Sequence, residues 1–211
     1  MTLAEYEAVG DLMTGYLQSV MKNRFGMQEI WVGDSANPNG PKVNIFVSDD
    51  FFVNTGRCLV LLQGTGACRA GMWARSLCVN ENLTVGSMLP MLEFAKATGQ
   101  SVLIANPNMA KDPLSGVAVP NCGTMSMHCK YIWEHFLSKE KCPATSLSIM
   151  AHSAGGRCTA TLFKDYRAEF LKRVKCLVFT DAYYHAMFQG ISARDASILA
   201  AIGIHFKAYK Q

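Results

Sequence analysis

Short apolar runs alternate with amphipathic segments along the chain, the pattern of strands joined through helices. Between Leu3 and Arg24 the apolar positions Leu12, Tyr16, Leu17, Val20 and Met21 recur at helical spacing. Two extended runs follow, Glu29 to Val32 and Lys42 to Val47. The segment between them, from Gly33 to Pro41, is dense in turn formers, so the spacing predicts a hairpin. Cys58 to Leu62 is a continuous apolar run ending in Gln63-Gly64-Thr65-Gly66, as expected of a strand buried on both faces and closed by a glycine loop. The pattern next predicts a helix over Ser87 to Thr98, closed by Gly99, and a strand over Ser101 to Ala105, broken by Asn106-Pro107-Asn108. A helix over Ser126 to Lys139, a strand over Ser146 to Met150, a helix over Gly155 to Leu171 and a strand over Lys175 to Phe179 follow. A helix over Ala193 to Ile202 then leads to an extended segment, Ile204 to Tyr209. Such alternation implies an α/β fold with a mostly parallel sheet, helices on both faces, and an N-terminal helix and hairpin.

Composition narrows the class. With 211 residues, half of them hydrophobic and 17% charged, the chain can build one sizeable core, and we expect a single domain over 1–211 rather than disorder. No apolar run approaches the roughly 18 to 20 residues that span a bilayer, which argues against an integral membrane protein. The net charge of +4 neither demands nor excludes an acidic partner. Its one basic cluster, Lys164, Arg167, Lys172, Arg173 and Lys175, reads as a solvated helix face, which argues against direct nucleic-acid binding. The eight cysteines are scattered, with no CxxC pair and no zinc-ligand spacing, so they read as buried thiols in a reducing compartment, with no metal. The N-terminus lacks the basic start and apolar run of a signal peptide, and the expected location is cytoplasmic or nuclear.

The most specific chemistry is Ala151-His152-Ser153-Ala154-Gly155-Gly156, between an apolar strand and an amphipathic helix. This is the setting of a nucleophile elbow, in which the residues two before and two after the serine crowd each other and must be small; here they are Ala151 and Gly155. The same turn is compatible with Ser153 merely capping the helix. An oxyanion hole needs two donors. Ala154 supplies the first, and the loop Gly64 to Gly66, with the N–H of Thr65, is the natural source of the second.

A triad also needs a carboxylate and a histidine. Asp181 ends the strand through Phe179, at the edge of the sheet that carries Ser153, where ligands bind. His185 follows the same strand and is the candidate base, whereas His205 falls at the start of the last strand, the wrong end. His152 is expected to point away from the nucleophile and pack at the pocket wall. His128 and His135, seven apart on one helical face, read as structural or surface residues. The chain ends about where a loop bearing a late histidine is expected. Arg69, Trp73 and Arg75 could line a pocket and take an anionic group, or the arginines could pair with Glu81 or Glu93. Asn106 and Asn108 follow a strand end and could face the same cleft or serve the loop turn, while Trp133 and Phe136 read as core.

Several segments together resemble one family, the argonaute-binding-protein-two (Arb-two) domain, shared with cotranscriptional regulators of the family-with-similarity-one-seven-two type. They are Leu61 to Gly66, Arg69-Ala70-Gly71-Met72-Trp73-Ala74-Arg75, Asn80 to Leu83 with Gly86 and Pro90, and Asn106 to Asn108. Further on come His128 with Tyr131 to Phe136, the elbow itself, and Thr180-Asp181 with His185. The resemblance implies an α/β-hydrolase-like fold. It also implies one of two roles. The first is a serine-hydrolase-like pocket acting on a small acyl substrate, an ester or related bond, without metal or organic cofactor. The second is a non-catalytic interaction domain in RNA silencing, chromatin or co-transcriptional regulation, with nuclear partners of the argonaute or histone type.

Overall fold

The structure, a computed structural model, describes residues 2–208. Helix α1 (Leu3–Phe25) starts in a capping box: the Glu5 N–H donates to Thr2 Oγ1 at 3.3 Å and the Thr2 N–H to Glu5 Oε2 at 2.7 Å. It ends at Gly26, whose left-handed φ of 66° a residue with a Cβ would resist. Strands β1 (Gln28–Gly33) and β2 (Lys42–Val47) form the expected antiparallel hairpin, with Val32 opposite Val43.

The remaining strands are β3 (Arg57–Leu62), β4 (Gln100–Ile104), β5 (Ser146–His152), β6 (Val174–Thr180) and β7 (Gly203–Phe206). They join one seven-stranded sheet in the order β1-β2-β4-β3-β5-β6-β7. β2 pairs antiparallel with β4, and every pair from β4 through β7 is parallel. The carboxyl ends of β3 to β7 therefore share one edge, the edge where open parallel α/β sheets bind ligands.

Strand periodicity divides the core in two. Val60, Leu62, Leu103, Ile149, Ala151, Leu177 and Phe179 face one side, against α5 (Met125–Ile132), α6 (Gly155–Asp165), α7 (Arg167–Arg173) and α8 (Ala193–Ile202). Leu59, Leu61, Val102 and Ile104 face the other, against α1 and α4 (Leu89–Ala97). β3 and β4 are thus buried on both faces, as their unbroken apolar runs require. β5 and β6 alternate buried and half-buried residues, because the second layer stops at β3. Among the described residues no helix is long and apolar enough to cross a membrane.

The elements depart from the sequence expectation in four places. Two short helices, α2 (Arg75–Asn80) and α3 (Leu83–Gly86), precede α4; the second is started by the Asn82 side chain, which accepts from the Val85 N–H. The helix expected over Ser126 to Lys139 is α5, followed by a π-helical turn over Trp133–Leu137. That turn breaks the seven-residue register, so His128 is buried while His135 is exposed against Tyr131. The helix expected over Gly155 to Leu171 is two, α6 and α7, broken at Tyr166, whose ring stacks on Trp133 and whose hydroxyl meets Glu134. Of the last extended segment, Gly203 to Phe206 forms β7 and Tyr209 lies outside the described residues.

The basic cluster is also not uniformly solvated. Arg173 is buried, donating to the carbonyls of Leu137, Cys142 and Ala144 and to Glu169, whereas Lys164, Lys172 and Lys175 are exposed. All eight cysteines are free and seven are buried.

Candidate functional site

Strand β5 delivers Ser153 to the carboxyl edge of the sheet, and α6 begins two residues later. Ser153 sits at φ 50°, a left-handed conformation uncommon outside glycine. Neighbouring backbone holds it there: its N–H donates to the Thr180 carbonyl at 3.0 Å, and its carbonyl accepts from Gly156 and Tyr183 at 3.1 and 3.0 Å.

The small residues around the turn are dictated by contact. A Cβ on Gly155 would stand 2.5 Å from the Leu62 carbonyl oxygen, at the end of β3. One on Gly156 would stand 3.0 Å from the backbone of Tyr183, so α6 approaches its neighbours only because both positions lack a side chain. Ala151 is fully buried, so the methyl that distinguishes this turn from a Gly-x-Ser-x-Gly elbow is accommodated in the core.

The loop after β3 lies against the serine. A Cβ on Gly64 would meet Ser153 Cβ at 2.9 Å and Oγ at 3.4 Å, and the ring of His152 at 3.3 Å. Thr65, Gly66 and Ala67 beyond it are exposed. Neither the Ala154 nor the Thr65 N–H donates to a backbone carbonyl among the described hydrogen bonds. Both N–H groups are therefore without an acceptor among the described hydrogen bonds.

Asp181 follows β6 at φ 45°, so the two strained residues Ser153 and Asp181 end adjacent parallel strands. Its carboxylate accepts from the Ala208 N–H at 2.8 Å. His185 opens a 3₁₀ turn, His185–Phe188, with its ring stacked on Tyr184 at 5.2 Å. His152 Nδ1 lies 2.9 Å from the Thr180 carbonyl oxygen and 3.0 Å from the Thr180 hydroxyl, so Thr180 holds the ring from its Nδ1 side. Among the described residues no hydrogen bond joins any histidine to Ser153 Oγ or to the Asp181 carboxylate.

His205 differs from the sequence expectation. It pairs with Phe179 as the third residue of the four-residue β7, so it lies toward the carboxyl edge, with Nδ1 3.2 Å from the Tyr184 hydroxyl. β7 is too short for its start to be far from its end.

The other pocket candidates divide. Asn106 is fully buried: its side chain accepts from the Ala70 N–H at 3.1 Å and donates to Asn44 at 2.7 Å, while its own N–H donates to His128 Nε2 at 3.1 Å. Burial holds the His128 imidazole down at about pKa 4, so it is neutral at physiological pH. Arg69 lines a cleft of about 290 Å³ with Asp11, Thr14, Gln18, Asn44 and Asn106, and donates to the Cys68 carbonyl. Arg75 lies over the Tyr6 ring at 5.2 Å, and Trp73 packs on the second core. The carboxylate of Glu93 pairs with Arg24 at 2.6 Å, not with Arg69 or Arg75.

One contributor was not singled out from sequence, and another does more than the turn expected of it. Tyr183 anchors the elbow through its backbone and stacks under Arg157 at 5.1 Å; an aromatic two residues after a strand-end acid is the only signal it offers. Asn108, expected to serve a turn, donates to the carbonyls of both Gly64 and Cys68.

The sequence model of the Arb2 domain matches residues 4–190. The chain is similar to the Cotranscriptional regulator ARB2A homolog of Dictyostelium discoideum, 28% identical over 214 residues, covering 85% of this chain and 54% of that protein. It is 25% identical over 234 residues to Cotranscriptional regulator ARB2A of Homo sapiens, covering 87% of this chain and 56% of that one. The chain thus spans about half the length of the curated relatives it matches. Among solved structures it is similar to the histone deacetylase Clr3, with a TM-score of 0.49 and 12% identity, covering 80% of this chain and 25% of that one. It is also similar to the esterase LipW from Mycobacterium marinum, with a TM-score of 0.44 and 13% identity, covering 86% and 53%. Since the Arb2 match runs from the first turn of α1 through the Gly64 loop, the Ser153 elbow and the Asp181 turn, the chain belongs to the Arb2 domain family.

Proposed function

We propose that Ser153 is the nucleophile of an acyl-hydrolase site that cleaves an ester or related acyl bond, with Asp181 as acid and His185 as base. What carries this reading is the left-handed backbone of Ser153: such strain persists only where the surroundings over-determine it, and it concentrates at functional turns. In the reaction His185 takes the Oγ proton as Oγ bonds the acyl carbon. The resulting oxyanion is held by the N–H groups of Ala154 and Thr65, and Asp181 pairs with the imidazolium. The bond to the leaving group then breaks, the leaving group takes the proton, and water releases the acyl group. For this the exposed His185 ring swings off Tyr184 in the substrate complex, a tightening common between apo and reacting geometries.

Labelling with a fluorophosphonate probe tests the reading without knowledge of the substrate. Labelled wild type with no labelling of Ser153→Ala or His185→Ala is the expected result; a folded wild type that takes no label overturns it.

A second reading is a non-catalytic interaction module for nuclear proteins of the argonaute or histone type. It is favoured by the absence of any described imidazole bond to Ser153 Oγ, and by the names of the relatives, which are cotranscriptional regulators. Direct binding of purified argonaute or histone protein, equal for wild type and Ser153→Ala, separates it from the first. Nuclear localisation of the tagged protein accords with it.

A further inference from the structure

The loop from Gly64 to Cys68 supplies the second oxyanion donor in the reading above, so whatever holds that loop sets where the donor points. Of its own residues only Cys68, at the far end, is anchored, with its thiol on the Trp73 carbonyl at 3.6 Å. Gly64 and Gly66, the latter at φ 119°, leave the backbone free to rotate, and Thr65, Gly66 and Ala67 are exposed.

One side chain spans it. Asn108 Nδ2 donates to the Gly64 carbonyl at 2.7 Å and to the Cys68 carbonyl at 3.1 Å, so the two hydrogens of a planar amide are spent on the two ends of the loop. The Gly64 carbonyl and the Thr65 N–H belong to the same trans peptide, in which they point in opposite directions. Drawing the carbonyl toward Asn108 therefore aims the Thr65 N–H away from Asn108. The base of the clamp is firm, because Asn106, two residues earlier, is buried and bonded to Ala70, Asn44 and His128.

We propose that Asn108 is a positioning residue, locking the Gly64–Thr65 peptide so that the Thr65 N–H faces the acyl oxygen at Ser153. The proposal rests on the Ser153 reading for its chemistry, but the clamp itself has a separate readout.

Asn108→Asp keeps the shape and, when ionised, removes both donors. At pH 8 the variant is expected to label about ten- to a hundredfold more slowly than wild type, since a misplaced oxyanion donor costs up to the effect of a deleted one. The order of the backbone amides of residues 64–68, read from 15N relaxation, is expected to fall. As pH falls and the carboxyl protonates, one donor returns, so both ratios to wild type recover; Asn108→Ala shows the losses without the recovery. Unchanged order across 64–68 in N108D overturns the clamp, whatever the labelling. Lower order with unchanged labelling overturns the positioning role, as does equal behaviour of N108D and N108A at every pH. A wild type that takes no label overturns the Ser153 reading instead, and the relaxation comparison still decides the clamp.

Discussion

Gly64 touches Ser153 at a point where a side chain does not fit: its absent Cβ would lie 2.9 Å from Ser153 Cβ and 3.4 Å from the hydroxyl. Gly64 has no positive φ, so alanine suits its backbone, and the conflict is one of space alone. Gly64→Ala is expected to cost about 1–3 kcal/mol of stability by overpacking. It should also slow labelling of Ser153 by at least about tenfold, because the loop and the serine must part. Denaturant unfolding and probe labelling on the same preparation check both; full labelling of a folded G64A would show that the loop does not shape the site.

Asp181 is tied to residue 208 as well as to the edge of the sheet. Asparagine keeps the acceptor and tolerates the left-handed backbone, whereas alanine loses both advantages. Asp181→Asn should therefore unfold within about 0.5 kcal/mol of wild type and Asp181→Ala about 1–3 kcal/mol earlier, by urea titration. If the carboxylate supports an imidazolium, both variants lower Ser153 labelling, D181N without the loss of stability.

His128 is buried and neutral, with Nε2 accepting the Asn106 N–H and its pKa lowered from 6.5 to about 4 by burial. The unfolded chain binds the proton first as pH falls. The stability contributed by neutral His128 is thus fully present above pH 6.5 and is lost progressively down to about pH 4. The loss amounts to roughly 3 kcal/mol. The difference in unfolding free energy between wild type and His128→Gln, whose amide oxygen accepts without titrating, should shift by that amount between pH 7 and pH 4. A pH-independent difference would remove His128 as its source.

Arg173 bonds three carbonyls, those of Leu137, Cys142 and Ala144, that close the turn before β5, and it pairs with Glu169 at 2.9 Å. Arg173→Met leaves those acceptors buried and unpaired, and should cost about 3 kcal/mol or more. Lys175→Ala, from the same basic run but exposed, should change stability by less than about 0.5 kcal/mol. Chemical denaturation of the two variants distinguishes the buried cation from its solvated neighbours.

The strands were legible because burial on both faces demands unbroken apolar runs: Cys58 to Leu62 and Ser101 to Ala105 lie within one residue of the strands that form. The elbow was legible for a related reason, since a turn that presses a helix against a strand end excludes side chains at fixed offsets, and Gly155 and Gly156 mark them. The break at Tyr166 was not, because it has no glycine or proline; stacking on Trp133, far away in sequence, stabilises it. The π-helical turn that sends His128 inward and His135 outward likewise has no periodic signature.

The sequence by itself determined the alternation of strands and helices, the mostly parallel sheet, and the edge to which Ser153 and Asp181 come, because local sterics and hydrophobic period act between neighbours in the chain. Only the tertiary structure decided that Arg173 is buried and His205 sits toward the carboxyl edge. It also decided that Asn108 joins the two ends of the glycine loop, and that His185 rests on Tyr184. Each of these depends on which distant backbone group a side chain meets, and a polar side chain carries no record of its partner until the sheet has brought the two together.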